Sequence, residues 1–105
     1  MGLYQDSGGL PGALIDTTET KAFSSTSSGH WEELTFASPP AIDAGVQYWI
    51  ACHTSATVGS RSSDGTNQND FRRFKSQTSG SGLPDPFGSA SSYSNTRGLK
   101  MKVQT

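Results

Sequence analysis

Only one cysteine, Cys52, stands in 105 residues, so no disulfide can form within the chain. Charge of one sign is missing too: 8 Lys and Arg stand against 9 Asp and Glu, for a net charge of −1. The only basic cluster is Arg72, Arg73 and Lys75. Phosphate recognition needs clustered cations, so nucleic acid is not expected as a partner. Long apolar runs are absent. Val46 to Cys52 is the most apolar segment, far short of the roughly 20 residues that cross a bilayer. Membrane insertion is therefore not expected. Nor does Met1 open a charged start with an apolar stretch behind it, the pattern of a secretory signal. No segment repeats Ala, Glu, Lys and Leu at helical period, which argues against long helices.

Leu, Ile, Val and Phe are scarce, at 17 of 105 residues. Composition that lean raises disorder as a reading. Disorder usually also brings high net charge and few aromatics. Here the net charge is close to zero and aromatics make up 10%. What the chain has in quantity is Ser, Thr and Gly, with 17, 11 and 12 residues. Ser and Gly favour turns, and Thr also suits strand surfaces. The expectation is one lean all-β domain over residues 1–105, an antiparallel β-sandwich of jelly-roll-like form.

The strands are read from period and punctuation. Gly2 to Gln5 reads as the end of a strand, and Asp6 to Gly12 as a turn cluster. Ala13 to Phe23 is extended and Thr-rich. His30 to Phe36 reads as a strand with Leu34 and Phe36 on one face, stopped by Pro39 and Pro40. Ala41 to Gly45 is a connecting turn. Val46 to Thr54 is aromatic and β-branched, and its continuous apolarity predicts a central strand buried on both faces. Thr57 to Asn69 is a polar loop, Asp70 to Gln77 a strand, and Ser79 to Ser92 a second long loop. Leu99, Met101 and Val103 alternate with Lys100, Lys102 and Gln104, a half-buried strand with lysines on its wet face.

Three segments carry a resemblance. They are Leu3-Tyr4-x-Asp6-x-Gly8-Gly9-x-Pro11-Gly12-x-Leu14, Trp31-x-x-Leu34-x-Phe36, and Ala44-Gly45-x-x-Tyr48-Trp49-Ile50-Ala51. Together they resemble the jelly-roll-like β-sandwich modules appended to secreted bacterial and archaeal proteins and found in phage virion proteins. The Pro84-Asp85-Pro86-Phe87-Gly88 loop is compatible with that pattern. The resemblance implies a carbohydrate-binding or structural module at an extracellular, cell-surface or virion location. It carries no binding residues over. Such modules usually hold one or two further strands before the Leu-Tyr strand. Either those strands are lacking here, or a neighbouring chain completes the edge.

Catalytic constellations find little support, and the expectation is a non-enzyme. There is no Gly-x-Ser-x-Gly elbow, and only His30 and His53 could act as a base. Cys52 and His53 are adjacent on an expected strand, so they would face opposite ways and form no dyad. Cys52 is expected to be buried as a small hydrophobe, with a structural His53 beside it. Two His and one Cys fall short of a zinc ligand set. Calcium fits better, because Asp64, Asn67 and Asp70 concentrate oxygen ligands in one loop. The alternative is a turn whose Asn and Asp side chains bond their own backbone. Cofactor expectations are therefore none, or calcium at that loop.

The sharpest functional idea is a sugar platform. Sugars stack their C–H faces on aromatic rings while polar side chains read the hydroxyls. Tyr4, Trp31, Phe87 and Tyr93 are the aromatics near loops, whereas Tyr48 and Trp49 are expected in the core. Trp31, Arg72, Phe87 and Tyr93 are the candidate ligand contacts. Arg72 and Arg73 would grip acidic groups through bidentate bonds. The expected partner is a glycan or surface polymer. The alternative is identical subunits, joined through sheet edges into a virion, filament or surface layer.

Overall fold

Hairpin chemistry sets the first two strands. The structure is a computed structural model that describes residues 1–22, 32–55, 73–74, 78 and 81–92. β1 (Gly2–Asp6) and β2 (Pro11–Thr17) pair antiparallel. Between them Ser7 and Leu10 exchange both backbone bonds, Ser7 N–H to Leu10 O at 2.8 Å and Leu10 N–H to Ser7 O at 3.3 Å. The two residues enclosed are Gly8 and Gly9, at φ 64° and 82°. Two successive left-handed residues are what a type I′ turn requires, and its twist matches the twist of the strands it joins. The Gly-Gly pair read as a turn in the sequence is therefore a tight hairpin.

β2 is seven residues long and β1 five. The register slips between Leu3 and Tyr4, and again between Tyr4 and Asp6. Extra residues on one strand bend it and increase local twist. The extra residues lie on β2, where Asp16 and Leu14 face the adjacent Leu3 and Tyr4.

β3 (Tyr48–Ala51) pairs antiparallel with the other side of β1, from Gly2 opposite Ala51 to Gln5 opposite Tyr48. The order of this sheet is β2-β1-β3. A second, two-stranded sheet joins β4 (Arg73–Phe74) to β5 (Ser91–Ser92). Every pairing is antiparallel, and no helix occurs among the described residues, so the fold there is all-β.

The core gathers around β1. Leu3 is 1% exposed and Tyr4 0%. Successive strand residues face opposite sides of a sheet, so β1 is covered on both faces. Burying each of these side chains stabilises the fold by about 1.5–3 kcal/mol. The Tyr4 face is closed by a strap, residues 83–87. Leu83 comes so close to Gly2 that a Cβ there would collide with Leu83 Cδ1. Tyr4 donates its phenolic hydrogen to Pro84 O at 2.7 Å. Phe87 packs edge-on against the Tyr4 ring, with centroids 5.3 Å apart and planes at 85°, the geometry that aromatic quadrupoles favour. The strap also ties to β2: Leu14 N–H donates to Asp85 Oδ1 at 3.0 Å and Phe87 N–H to Gly12 O at 2.9 Å. The Asp85–Pro86 peptide is cis.

Three expectations change here. Among the described strands the Val46–Thr54 segment is not the central one of its sheet. That place belongs to β1, while β3 covers only Tyr48–Ala51 and is half-buried throughout. Val46 itself is 52% exposed. The reason lies in the side chains: Tyr and Trp carry polar atoms that need partners, which favours a position near a polar edge. The second change concerns His30–Phe36. Its described part, residues 32–36, forms no named strand, and only Phe36 makes an isolated bridge to Thr18. Glu19 N–H donates to Thr35 O, but Thr35 N–H and Thr35 Oγ1 both donate to the Glu19 carboxylate instead of to backbone. A side chain that substitutes for a ladder carbonyl stops the ladder from propagating. Lys21 and Glu32 close this stretch with an exposed ion pair at 2.7 Å. The third change is Cys52, which lies beyond the end of β3 and is exposed.

The expected strands at 70–77 and 99–103 lie wholly or mostly outside the described residues, as does the polar loop at 57–69.

Candidate functional site

At the hairpin end of the sheet, β1 finishes next to the start of β3. Gln5 lies opposite Tyr48 in the register. The chain reaches Tyr48 through a turn in which Val46 N–H bonds Asp43 O at 3.4 Å. Together these elements enclose a shallow depression of about 360 Å³ lined by Gln5, Asp6, Asp43, Val46, Gln47 and Tyr48.

Asp6 organises its floor. One carboxylate oxygen accepts from Trp49 Nε1 at 2.7 Å and from Gln47 Nε2 at 3.3 Å. The other accepts from Gly9 N–H at 3.0 Å. A single carboxylate thus joins the hairpin turn to β3 and fixes the Trp49 indole. Hydrogen bonds to an ionised acceptor are worth roughly 1.5–3 kcal/mol each before solvent exposure weakens them.

The rest of the lining is less committed. Asp43 N–H donates to the Tyr48 phenolic oxygen at 3.0 Å. That bond uses the oxygen as acceptor and leaves the phenolic hydrogen available as a donor. The Asp43 carboxylate and the Gln5 amide have no partner among the described residues, and Gln47 keeps its carbonyl oxygen. Val46 adds an exposed apolar side chain and Tyr48 a half-buried ring. The depression therefore offers an apolar ring and methyls beside one donor, two amides and two carboxylates. Among the described residues no Lys, Arg or His is part of its lining.

The residues picked from the sequence fare differently. Phe87 is 8% exposed and belongs to the core around Tyr4, so its ring presents no platform. Tyr4, grouped with the loop aromatics, is fully buried. Burial raises the Tyr4 pKa above its ordinary value, and the nearby Asp85 carboxylate adds to that. Trp31, Arg72, Tyr93 and the calcium candidates Asp64, Asn67 and Asp70 lie outside the described residues. Among the described residues no three His, Cys, Asp or Glu side chains come together as a metal site would need. His53 has a buried Nε2 without a hydrogen-bond partner among the described residues.

Sequence reasoning missed the depression. Its members are scattered over positions 5–6 and 43–48, and although Asp6 and Tyr48 stand in two of the segments that carry the resemblance, those segments imply no binding residues. The one signal in the sequence was Gly45 preceding Tyr48, which placed a turn beside an aromatic strand start.

Comparison of the chain with protein-family models, curated proteins and solved structures returns no significant match.

Proposed function

We propose that this chain is a non-catalytic β module that binds a saccharide or saccharide-coated surface, and that the depression at the hairpin end is its contact site. The observation that carries the reading is the pairing of an accessible Tyr48 ring and Val46 with uncommitted polar groups on Gln5, Asp43 and Gln47. Sugars present that same alternation of apolar C–H faces and hydroxyls. Ligand sites generally combine apolar walls with a few placed polar groups. The resemblance to appended jelly-roll modules supports an extracellular, cell-surface or virion setting. The finer architecture belongs to the same proposal: a jelly-roll-like sandwich, in which the second sheet is the one that holds β4 and β5. Calcium at Asp64, Asn67 and Asp70 remains part of the proposal as an accessory ion.

The test is a pull-down on insoluble polysaccharides, followed by titration calorimetry with soluble oligosaccharides, both with and without calcium. Binding that Tyr48→Ala reduces at least ten-fold is the expected result. No binding to any saccharide under either condition refutes the reading.

A second reading, a subunit that assembles with copies of itself, draws on one observation. Leu10 and Val46 are 48% and 52% exposed, and both lie in connections at the same end of the sheet. Light scattering across a concentration series separates the two, since a persistent monomer removes self-assembly.

A further inference from the structure

Given a saccharide site at the depression, a premise on which this selectivity rests, charge decides which sugars it takes. Among the described residues the lining holds two carboxylates and no cationic side chain. Asp6 is engaged by Trp49, Gln47 and Gly9, so its hydrogen-bonding capacity is largely spent while its charge remains. Asp43 is exposed, and its side chain has no partner among the described residues. Its backbone is what the fold uses, through N–H to Tyr48 and O to Val46 N–H. The structure therefore holds one acceptor carboxylate in place by its backbone while its side chain stays unspent. Beside it, the Tyr48 hydroxyl is a donor with nothing assigned to it, and the Val46 side chain is exposed.

We infer that the depression selects saccharides bearing a free ammonium group, a glucosamine-type sugar, over their N-acetylated counterparts, and that it rejects acidic saccharides. The ammonium is a compact donor that satisfies the Asp43 carboxylate with a charge-assisted bond. A uronate or sulfate would bring a third negative charge to a site whose described residues hold no cation to receive it, which adds repulsion. The sugar ring itself would lie against Tyr48 and Val46, so the neutral part of the contact is common to all the saccharides compared.

Titration of the full chain with a glucosamine tetramer, its N-acetylated form and a galacturonate tetramer tests this at low and high salt. The glucosamine tetramer should bind about two- to five-fold more tightly than the acetylated one, the reach of one exposed ion pair. Added salt should erase that preference. Asp43→Asn should erase it too, and the backbone bonds of Asp43 survive the substitution. Equal or tighter binding of the acetylated or acidic tetramer overturns the inference while the saccharide reading stands. So does a preference that Asp43→Asn leaves intact. Binding to none of the three removes the inference together with the reading beneath it.

Discussion

Tyr4 and Tyr48 sit on adjacent strands, one register position apart, and the molecule uses them in opposite ways. Tyr4 is sealed between β1 and the 83–87 strap, its ring against Phe87 and its hydroxyl on Pro84 O. Tyr48 is half-buried at the hairpin end, with its oxygen accepting from a turn amide and its hydrogen uncommitted. The difference shows that the same side chain becomes core or contact surface according to what the chain lays over it. A strap from far along the sequence covers one ring, and an open turn borders the other.

Truncation should widen that contrast most. Tyr4→Ala is expected to destabilise by about 3–5 kcal/mol, the range for emptying a buried aromatic site. Tyr48→Ala should cost well under half as much. Urea denaturation of both variants checks the pair, and equal losses would break the comparison.

Asp6→Ala comes next, at about 1–3 kcal/mol. It removes the carboxylate acceptor of the Trp49 indole N–H and releases Gly9 and Gln47 together. A shift in the urea midpoint measures the loss. A change in Trp fluorescence should accompany it, because the indole loses its hydrogen-bond partner.

Removing the Tyr4 hydroxyl alone has a smaller effect with a pH signature. Tyr4→Phe leaves Pro84 O without its donor and should cost about 1–2 kcal/mol. The folded-state pKa of Tyr4 is raised, first by burial and then by Asp85. A group whose pKa is higher in the folded state is favoured in its protonated form by folding. Its contribution is fully present below the unfolded value near 10 and is lost as pH rises through the folded value. Wild type should therefore lose stability above about pH 10. Tyr4→Phe should lose less over the same window, and parallel curves would remove Tyr4 as the cause.

Tyr48→Phe should be the mildest, within about 0.5 kcal/mol of wild type in stability. Saccharide affinity should nevertheless fall, because the Tyr48 phenolic donor in the depression is gone. Calorimetry and denaturation on the same preparation sharpen the contrast between a residue that holds the fold and one that faces a ligand.

Much of the local structure was legible because local chemistry dictates it. Gly8-Gly9 between extended segments permits the positive φ pair of a tight turn. Leu3-Tyr4 and the Tyr48–Ala51 run are strand formers, and both are strands. Which of them would be central was not legible. Continuous apolarity favoured the Val46–Thr54 segment, yet β1 is the strand with both faces covered. Glu19, read only as part of an extended segment, ends a ladder by capturing Thr35. The depression was hidden for the same reason: Asp6 and Asp43 are ordinary surface acids until two strand ends meet.

The sequence by itself determined the antiparallel β character and the hairpin, since backbone preference and side-chain alternation act over a few neighbouring residues. Only the tertiary structure decided that Phe87 is core, that Cys52 is exposed and that Tyr48 is accessible. Burial depends on which distant segment covers a surface, and no local pattern encodes that.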